Sequence, residues 1–188
     1  MRITGYKQNT CKRSPYTAFI GRILDNVPRK GFIVKSFSRK EISELYVLIG
    51  YLDGLAAELA CPDLTEKMFK DMQFYIDSME IAINSKNYEI YLQQQELFHQ
   101  IYINECGNDM LIDVLGKLKN KFLRQDYLDD PQGNTFRALK ETNAEHRKLL
   151  EFLENGRGKE ASEFLYKVHW APEKSDLDML VSNEEPTV

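Results

Sequence analysis

The feature that most constrains the fold is a helical apolar repeat that runs from Ser38 almost to His169. Five further stretches repeat the spacing of the first one, and short polar segments connect them. Amphipathic helices joined by short loops bury their apolar faces against one another, so we predict a mostly α fold with an antiparallel helical bundle. In the first stretch, the apolar side chains that recur every three or four residues are Ile42, Leu45, Tyr46, Ile49, Leu52, Leu55, Ala56 and Leu59.

Local signals place the ends of these helices. Ser38 and Glu41 form a capping box, in which the serine hydroxyl accepts the amide of Glu41 and the glutamate bonds back to Ser38. The first helix ends at Cys61-Pro62, because the residue before a proline disfavours the helical conformation. The other five helices are predicted at about residues 65–84, 87–106, 109–127, 135–153 and 159–169. The polar, acidic tail over residues 171–188 is expected to be loose.

The first 37 residues differ from the bundle in charge and in pattern. Ten Lys or Arg side chains and a single acidic residue, Asp25, occur within the first 40 residues, although the whole chain carries a net charge of −4. Such a segment favours contact with a polyanion, and a merely solvated basic surface is the alternative. Ser14 to Asp25 predicts one short helix, and Val27 to Val34 predicts a turn that leads into a β-strand. This arrangement is typical of a winged helix-turn-helix.

Composition and cysteine content bound the class of protein. Hydrophobic residues make up 43% and charged residues 29% of the chain, which argues against a predominantly disordered state. No apolar run approaches the roughly 18 to 20 residues that span a bilayer, and no signal-peptide pattern is present. The three cysteines are odd in number and widely spaced, so we expect no disulfide framework and a cytoplasmic location.

Histidine is rare in this chain. His99, His146 and His169 are the only three, and they lie on the predicted third, fifth and sixth helices. Three neutral imidazoles are a ligand set that suits Zn²⁺ or Ni²⁺. Spacing alone leaves two interpretations open, because three unrelated histidines would give the same pattern.

Several separated motifs follow one another in the order found in a known family. Ser14 to Ala18 and Ile23-Leu24 resemble the start of a recognition helix, and Val27 to Val34 resembles the wing that follows it. Glu41 to Ala60 resembles the first helix of a sensor domain. The signature positions of that domain then follow in order: Phe98-His99, Gly107-Asn108, Glu145-His146 and His169. On these motifs the chain resembles the GntR-type transcription regulators of the FadR-like subfamily, which carry a helical FCD sensor domain.

The resemblance implies a domain organisation and partners. Residues 1–37 would form a partial winged-helix head that binds double-stranded operator DNA. Residues 38–170 would form an FCD-like domain that binds a small carboxylate effector, followed by the acidic tail at 171–188. A homodimer is also implied. The head is shorter than in the family, either because it is degenerate or because further residues belong to it. The residues assigned to DNA are Arg13, Ser14, Thr17, Arg22, Arg29 and Lys30.

The resemblance also implies one divalent metal site. It brings His99, His146 and His169 together around the ion, and Zn²⁺ and Ni²⁺ suit these ligands best. An aspartate of the family, one helical turn before Phe-His, is replaced by Gln95. Gln95 is therefore the first candidate for the fourth ligand, and Glu96 is the second.

Two further positions concern the effector. The family carries an arginine on the first sensor helix that holds an acidic effector, and Gly50 occupies that position here. The metal would then carry more of the effector's charge. Arg124, on the fourth predicted helix, is a candidate contact for the effector, and a solvated arginine is the alternative.

The sequence therefore predicts a ligand-responsive, DNA-binding transcription regulator and not an enzyme. A metal-dependent helical-bundle enzyme is one alternative, although no general base or nucleophile is evident beside the histidines. A sensor-only protein with a degenerate DNA-binding head is another.

Overall fold

The computed structural model describes residues 38–122 and 134–176, together with the backbone of two short strands at 24–27 and 31–34. The chain divides into two compact units, residues 1–37 and 38–188, and each is described by itself.

The first unit contains a β-hairpin. Strand β1 (Leu24–Val27) pairs antiparallel with strand β2 (Gly31–Val34), and Leu24 lies opposite Val34. The predicted strand is confirmed. The end of the predicted helix over Ser14 to Asp25 is wrong, because Leu24 and Asp25 belong to β1. Asp25 and Asn26 are weak helix formers, and a β-branched partner strand supplies the ladder that holds them extended. The rest of that predicted helix lies outside the described residues.

The second unit is the predicted helical bundle. The described part of this unit contains six α-helices, each of them expected from the sequence, and short turns. The helices are α1 (Arg39–Ala60), α2 (Glu66–Asn84), α3 (Tyr88–Glu105), α4 (Asp109–Phe122), α5 (Asn134–Glu154) and α6 (Gly158–Phe164). A 3₁₀ turn at Cys61–Asp63 follows α1, a π-turn at Leu165–His169 continues α6, and a 3₁₀ turn lies at Pro172–Asp176. The last turn differs from the loose tail that was expected, since Ser175 is buried there.

Side-chain caps and left-handed residues fix the helix ends. The amide of Ser38 donates to the Glu41 carboxylate at 2.9 Å, and the Ser38 hydroxyl accepts the amide of Glu41 at 3.3 Å. The Asn87 side chain caps α3 by accepting the amide of Ile90 at 3.1 Å. Gly107 ends α3 with a φ of +65°, a conformation that side chains with a Cβ disfavour.

Helix α1 is the central element of the bundle, because it packs against α3, α4, α6 and both turns that follow α6. Helix α2 lies against α3 and α5. The core face of α1 differs from the predicted one, since Leu55 and Leu59 are each 41% exposed. Small residues take their place in the core, and an added Cβ at Gly54 would lie 2.9 Å from the carbonyl oxygen of Ser162. This close approach positions α6 and the turns after it. The α1 residues buried here are Ala56, Ala57 and Ala60.

By length and composition, α1 with its terminal turn (Arg39–Asp63) is apolar enough to cross a membrane, with a mean hydropathy of 1.3 in its most apolar window. This corrects the expectation that no apolar run approaches that length. In the bundle 56% of that window is buried, and the core helix of a soluble protein meets the same criterion. The helix is therefore weak grounds for a membrane span.

Candidate metal centre

The three histidines converge in the bundle. His99 projects from α3, His146 from α5 and His169 from the end of the π-turn after α6. One ligand nitrogen of each lies within 4.8 Å of the other two, and all three side chains are buried. Among the described residues, this is the one group of His, Cys, Asp and Glu side chains close enough to hold a metal ion.

The separation of two of the nitrogens matches a metal site. The Nε2 atoms of His99 and His146 are 3.2 Å apart. Two nitrogens bound to one zinc ion at about 2.0–2.1 Å in tetrahedral geometry lie about 3.3 Å apart. Aromatic rings enclose the pair: Phe98 packs on His146 with ring centroids 4.8 Å apart, and Trp170 lies 6.2 Å from His99.

A buried carboxylate orients His99. Asp53 of α1 is fully buried, and its Oδ2 lies 3.1 Å from Nδ1 of His99. The hydroxyl of Tyr102 donates to Oδ1 at 2.9 Å, and the indole Nε1 of Trp170 donates to Oδ2 at 2.8 Å. Because Nδ1 of His99 faces acceptors, it carries the proton, and Nε2 keeps a lone pair for a metal.

A second carboxylate orients His169 in the same way. Glu145, next to His146 on α5, accepts from Nδ1 of His169 at 3.0 Å. Lys174, in the last 3₁₀ turn, holds the other oxygen of this carboxylate. A carboxylate that takes the far proton of a metal-bound imidazole fixes its tautomer and raises its basicity. Two of the three histidines therefore have the partner that metal-binding imidazoles normally have.

The electrostatics keep the imidazoles of His99 and His146 neutral. Burial, with the positive charge of Lys119, lowers the pKa of His99 to about 3, even though Asp53 acts in the opposite direction. Burial and the neighbouring His169 lower the pKa of His146 well below its ordinary value. Metal ions bind the neutral form of histidine, so both side chains are ready ligands at neutral pH.

The carboxylates remain charged beside them. Burial alone would raise the pKa of Asp53, but the Lys119 charge and the hydrogen bonds from His99 and Trp170 hold it well below its usual range. Burial and Asp53 raise the pKa of Tyr102 well above its usual value, so its hydroxyl keeps the proton that it donates. The residues present therefore fit a divalent ion of intermediate softness, which three imidazole nitrogens would hold and which would have further positions open to a ligand.

Local backbone structure places the third ligand. The amide of Trp170 donates to the carbonyl of Leu165 at 2.8 Å, five residues back, as in a π-turn. Such turns widen a helix and are frequent at functional sites. Gly50 permits the close approach, because an added Cβ there would lie 2.9 Å from Cβ of Trp170. A longer side chain would displace Trp170, so this chain has no room for the family's arginine at position 50.

The remaining predicted site residues stand as follows. Gln95 lies half-buried on α3, and its role as fourth ligand stays a prediction. Glu96, the second candidate, accepts a hydrogen bond from Gln100 on an exposed part of α3 and does not join the histidine group. Arg124 and the six residues assigned to DNA lie outside the described residues.

Sequence reasoning missed two residues of this site, Asp53 and Lys119. Lys119 of α4 is 7% exposed, and its Nζ lies 3.7 Å from Oδ2 of Asp53. Both residues occupy positions of an apolar stripe, four residues after the buried Ile49 and Leu115, respectively. Each is a charged residue at a core position of an amphipathic helix, and this sequence pattern indicates a buried functional group.

Comparison with known proteins identifies the fold and the family. The sequence model of the FCD domain family matches residues 44–168 of this chain. Comparison with curated proteins finds no significant match.

Solved structures share the fold at low sequence identity. McbR/YncC of E. coli is similar with a TM-score of 0.71 and 17% identity, over 88% of this chain and 76% of that chain. GntR of Streptococcus agalactiae is similar with a TM-score of 0.57 and 14% identity, over 86% and 80%. A third structure is that of Lar, which controls the expression of the Listeria monocytogenes agr system. It is similar with a TM-score of 0.57 and 15% identity, over 90% of this chain and 77% of that chain. The chain therefore belongs to the FCD domain family, in agreement with its resemblance to GntR-type regulators that carry this domain.

Proposed function

We propose that this protein is a cytoplasmic, homodimeric, DNA-binding transcription regulator whose helical domain senses a small organic acid through a histidine-bound divalent metal. The observation that carries the sensor half is the group formed by His99, His146 and His169, with Asp53 and Glu145 behind two of its members. Membership of the FCD family supports a regulatory role.

The site's own residues define what it can do. His99, His146 and His169 would hold the ion, while Asp53 orients the ring of His99 and Glu145 orients the ring of His169. A divalent ion bound there supplies positive charge for an anionic ligand in a place that excludes most water. Because the three ligands come from α3, α5 and the π-turn after α6, binding would couple the positions of these elements.

The proposed DNA binding is assigned to the first unit, residues 1–37. The antiparallel pairing of β1 with β2 supports the wing that the resemblance implies, and Arg29 and Lys30 lie between the two strands in the sequence. Basic side chains at the tip of a wing contact phosphate. Arg13, Ser14, Thr17 and Arg22 remain the proposed contacts of the preceding helix.

An enzyme is the second candidate function, and the described site gives it less support. Both carboxylates that touch the histidines are engaged, Asp53 by three hydrogen-bond contacts and Glu145 by His169 and Lys174. Neither is free to act as a general base toward a substrate. Turnover by the zinc-loaded protein, with metal-dependent rates, would favour this candidate over a sensor.

His146→Ala tests the metal and the sensor together. Elemental analysis of the wild-type protein should give one zinc or nickel per chain, and the variant should lose it, because two imidazoles hold such an ion weakly. Operator binding in a mobility-shift assay should persist, while its response to organic acids should disappear. Lys148→Ala is the matched control, because Lys148 is an exposed residue of α5 two positions after His146. A metal-free wild-type protein that responds normally to its effector would overturn the proposal.

A further inference from the structure

Lys119 is a buried ammonium group without a hydrogen bond to any described residue. Its Nζ lies 3.7 Å from Oδ2 of Asp53, beyond the roughly 2.7–3.2 Å of an N–H···O hydrogen bond. Within the described part of the chain, Nζ of Lys119 also lies 5.7 Å from the centroid of the Trp170 ring. A lysine has three N–H donors, and burial makes unused donors costly.

Asp53 does not need Lys119 as a hydrogen-bond donor. Its Oδ1 accepts from Tyr102 and its Oδ2 accepts from Trp170, and Oδ2 also lies 3.1 Å from Nδ1 of His99. The attraction between Asp53 and Lys119 is therefore one of charge at a distance. No described residue accepts a hydrogen bond from the three N–H groups of Lys119, so they are free of the described residues to bind another acceptor.

Lys119 lies beside the candidate metal centre. The same oxygen, Oδ2 of Asp53, is near Nδ1 of His99 and near Nζ of Lys119. The charge of Lys119 also lowers the pKa of both His99 and His146, although burial is the larger cause in each case. The ammonium group therefore adds positive charge next to the histidine group, which favours an anion bound there.

The charges around the site determine what kind of anion fits. Among the described residues, the charged groups that contact the histidines or their carboxylates are Asp53 and Glu145, balanced by Lys119 and Lys174. A divalent ion adds two positive charges to this balanced set. Because uncompensated charge is unfavourable in a buried place, the complete site calls for two negative charges.

We propose that Lys119 is the second anchor of the sensor site, and that it binds the far carboxylate of a short dicarboxylate whose near carboxylate binds the metal. This inference rests on the proposed metal-dependent sensor function. The effector would then be a dianion. Lys119 would be the basic side chain that contacts it, a role for which the sequence suggested Arg124.

The test compares malate with 2-hydroxybutyrate on the zinc-loaded full chain by titration calorimetry. Both probes are four-carbon 2-hydroxy acids with the same group for the metal, and only malate has a second carboxylate. One charge-assisted hydrogen bond corresponds to a factor of about 10 to 100 in affinity. Malate should therefore bind wild type at least about tenfold more tightly than 2-hydroxybutyrate.

Two variants of Lys119 and one control complete the experiment. Lys119→Met should reduce malate affinity to the level of 2-hydroxybutyrate, while 2-hydroxybutyrate affinity and zinc content stay unchanged. Lys119→Arg keeps the charge and should keep the preference for malate. Lys148→Met, an exposed lysine with a side chain 45% accessible, should change nothing.

The outcomes separate this inference from the function on which it rests. Equal binding of both acids to wild type would overturn the role of Lys119 and leave the metal-dependent sensor in place. Equal loss of both acids in Lys119→Met, with zinc retained, would also overturn it and would make Lys119 a structural ion-pair partner. Binding of neither acid to the zinc-loaded wild type would overturn the dicarboxylate assignment. Should Lys119→Met fail to fold, the comparison in wild type and in Lys119→Arg still decides.

Discussion

At the scale of single residues, the site depends on polar groups that occupy core positions. Asp53 and Lys119 lie where an amphipathic helix normally carries an apolar side chain, and both are almost completely buried. The sequence alone predicted the three histidines as a group through the family resemblance. It did not predict Asp53, because the partners of Asp53 come from α3, from α4 and from Trp170 after the π-turn, and only the fold brings them together.

Replacing Asp53 should weaken metal binding. Asp53→Asn keeps the size of the side chain but removes the charge that polarises His99, and loss of such a partner typically costs a factor of about 10 to 100 in metal affinity. Competition with a chromophoric chelator measures the zinc affinity directly. Asp77→Asn, an exposed aspartate of α2 bonded to Gln73, is the matched control. Equal zinc affinity in both variants would remove Asp53 from the metal site.

At the scale of elements, local signals predicted the helices well and tertiary contacts decided the rest. The capping residues Ser38 and Asn87 and the left-handed Gly107 act within one turn, so their effect was visible in the sequence. The core face of α1 was not, because periodicity alone cannot show that α6 approaches along small residues. Strand β1 was missed for a similar reason, since its partner strand and not its own residues makes it extended.

Gly54 should be required for the contact between α1 and α6. In Gly54→Ala the added Cβ would lie 2.9 Å from both the carbonyl oxygen and the hydroxyl of Ser162. Because a backbone atom cannot give way as a flexible side chain does, we expect a loss of about 1–3 kcal/mol in the free energy of unfolding. A Cβ added at Gly116 on α4 would have nothing within 4 Å, so Gly116→Ala should raise the free energy of unfolding by about 0.5–1 kcal/mol. Urea denaturation measures both, and a stabilised Gly54→Ala would refute the close approach.

At the scale of the whole molecule, the buried neutral histidines should make stability depend on pH. The pKa of His99 is about 3 in the folded metal-free protein, against an ordinary value of 6.5 in the unfolded chain. The unfolded state therefore binds more protons below about pH 6.5, and the free energy of unfolding should fall steadily as the pH drops from about 6.5 toward 3. Urea denaturation with a chelator present, at pH 7.5 and pH 5.0, measures the difference. His146→Phe removes one such group and should make the difference smaller, whereas an identical difference would contradict the burial of neutral His146.

The whole-molecule function also predicts how salt acts on DNA binding. Arg29, between β1 and β2 in the sequence, is assigned to a phosphate contact of the wing. Each phosphate contact releases counterions, so Arg29→Ala should weaken binding to operator and random DNA alike and reduce the slope of log K against log salt by about one per protomer. Fluorescence anisotropy over a salt series measures both the affinity for DNA and its salt slope. Sedimentation of the free protein tests the homodimer, which should give twice the chain mass of 22.0 kDa. Lys159→Ala, an exposed lysine of the FCD domain, should leave the slope unchanged. An unchanged slope in Arg29→Ala as well would place the hairpin away from DNA and would favour a sensor-only protein.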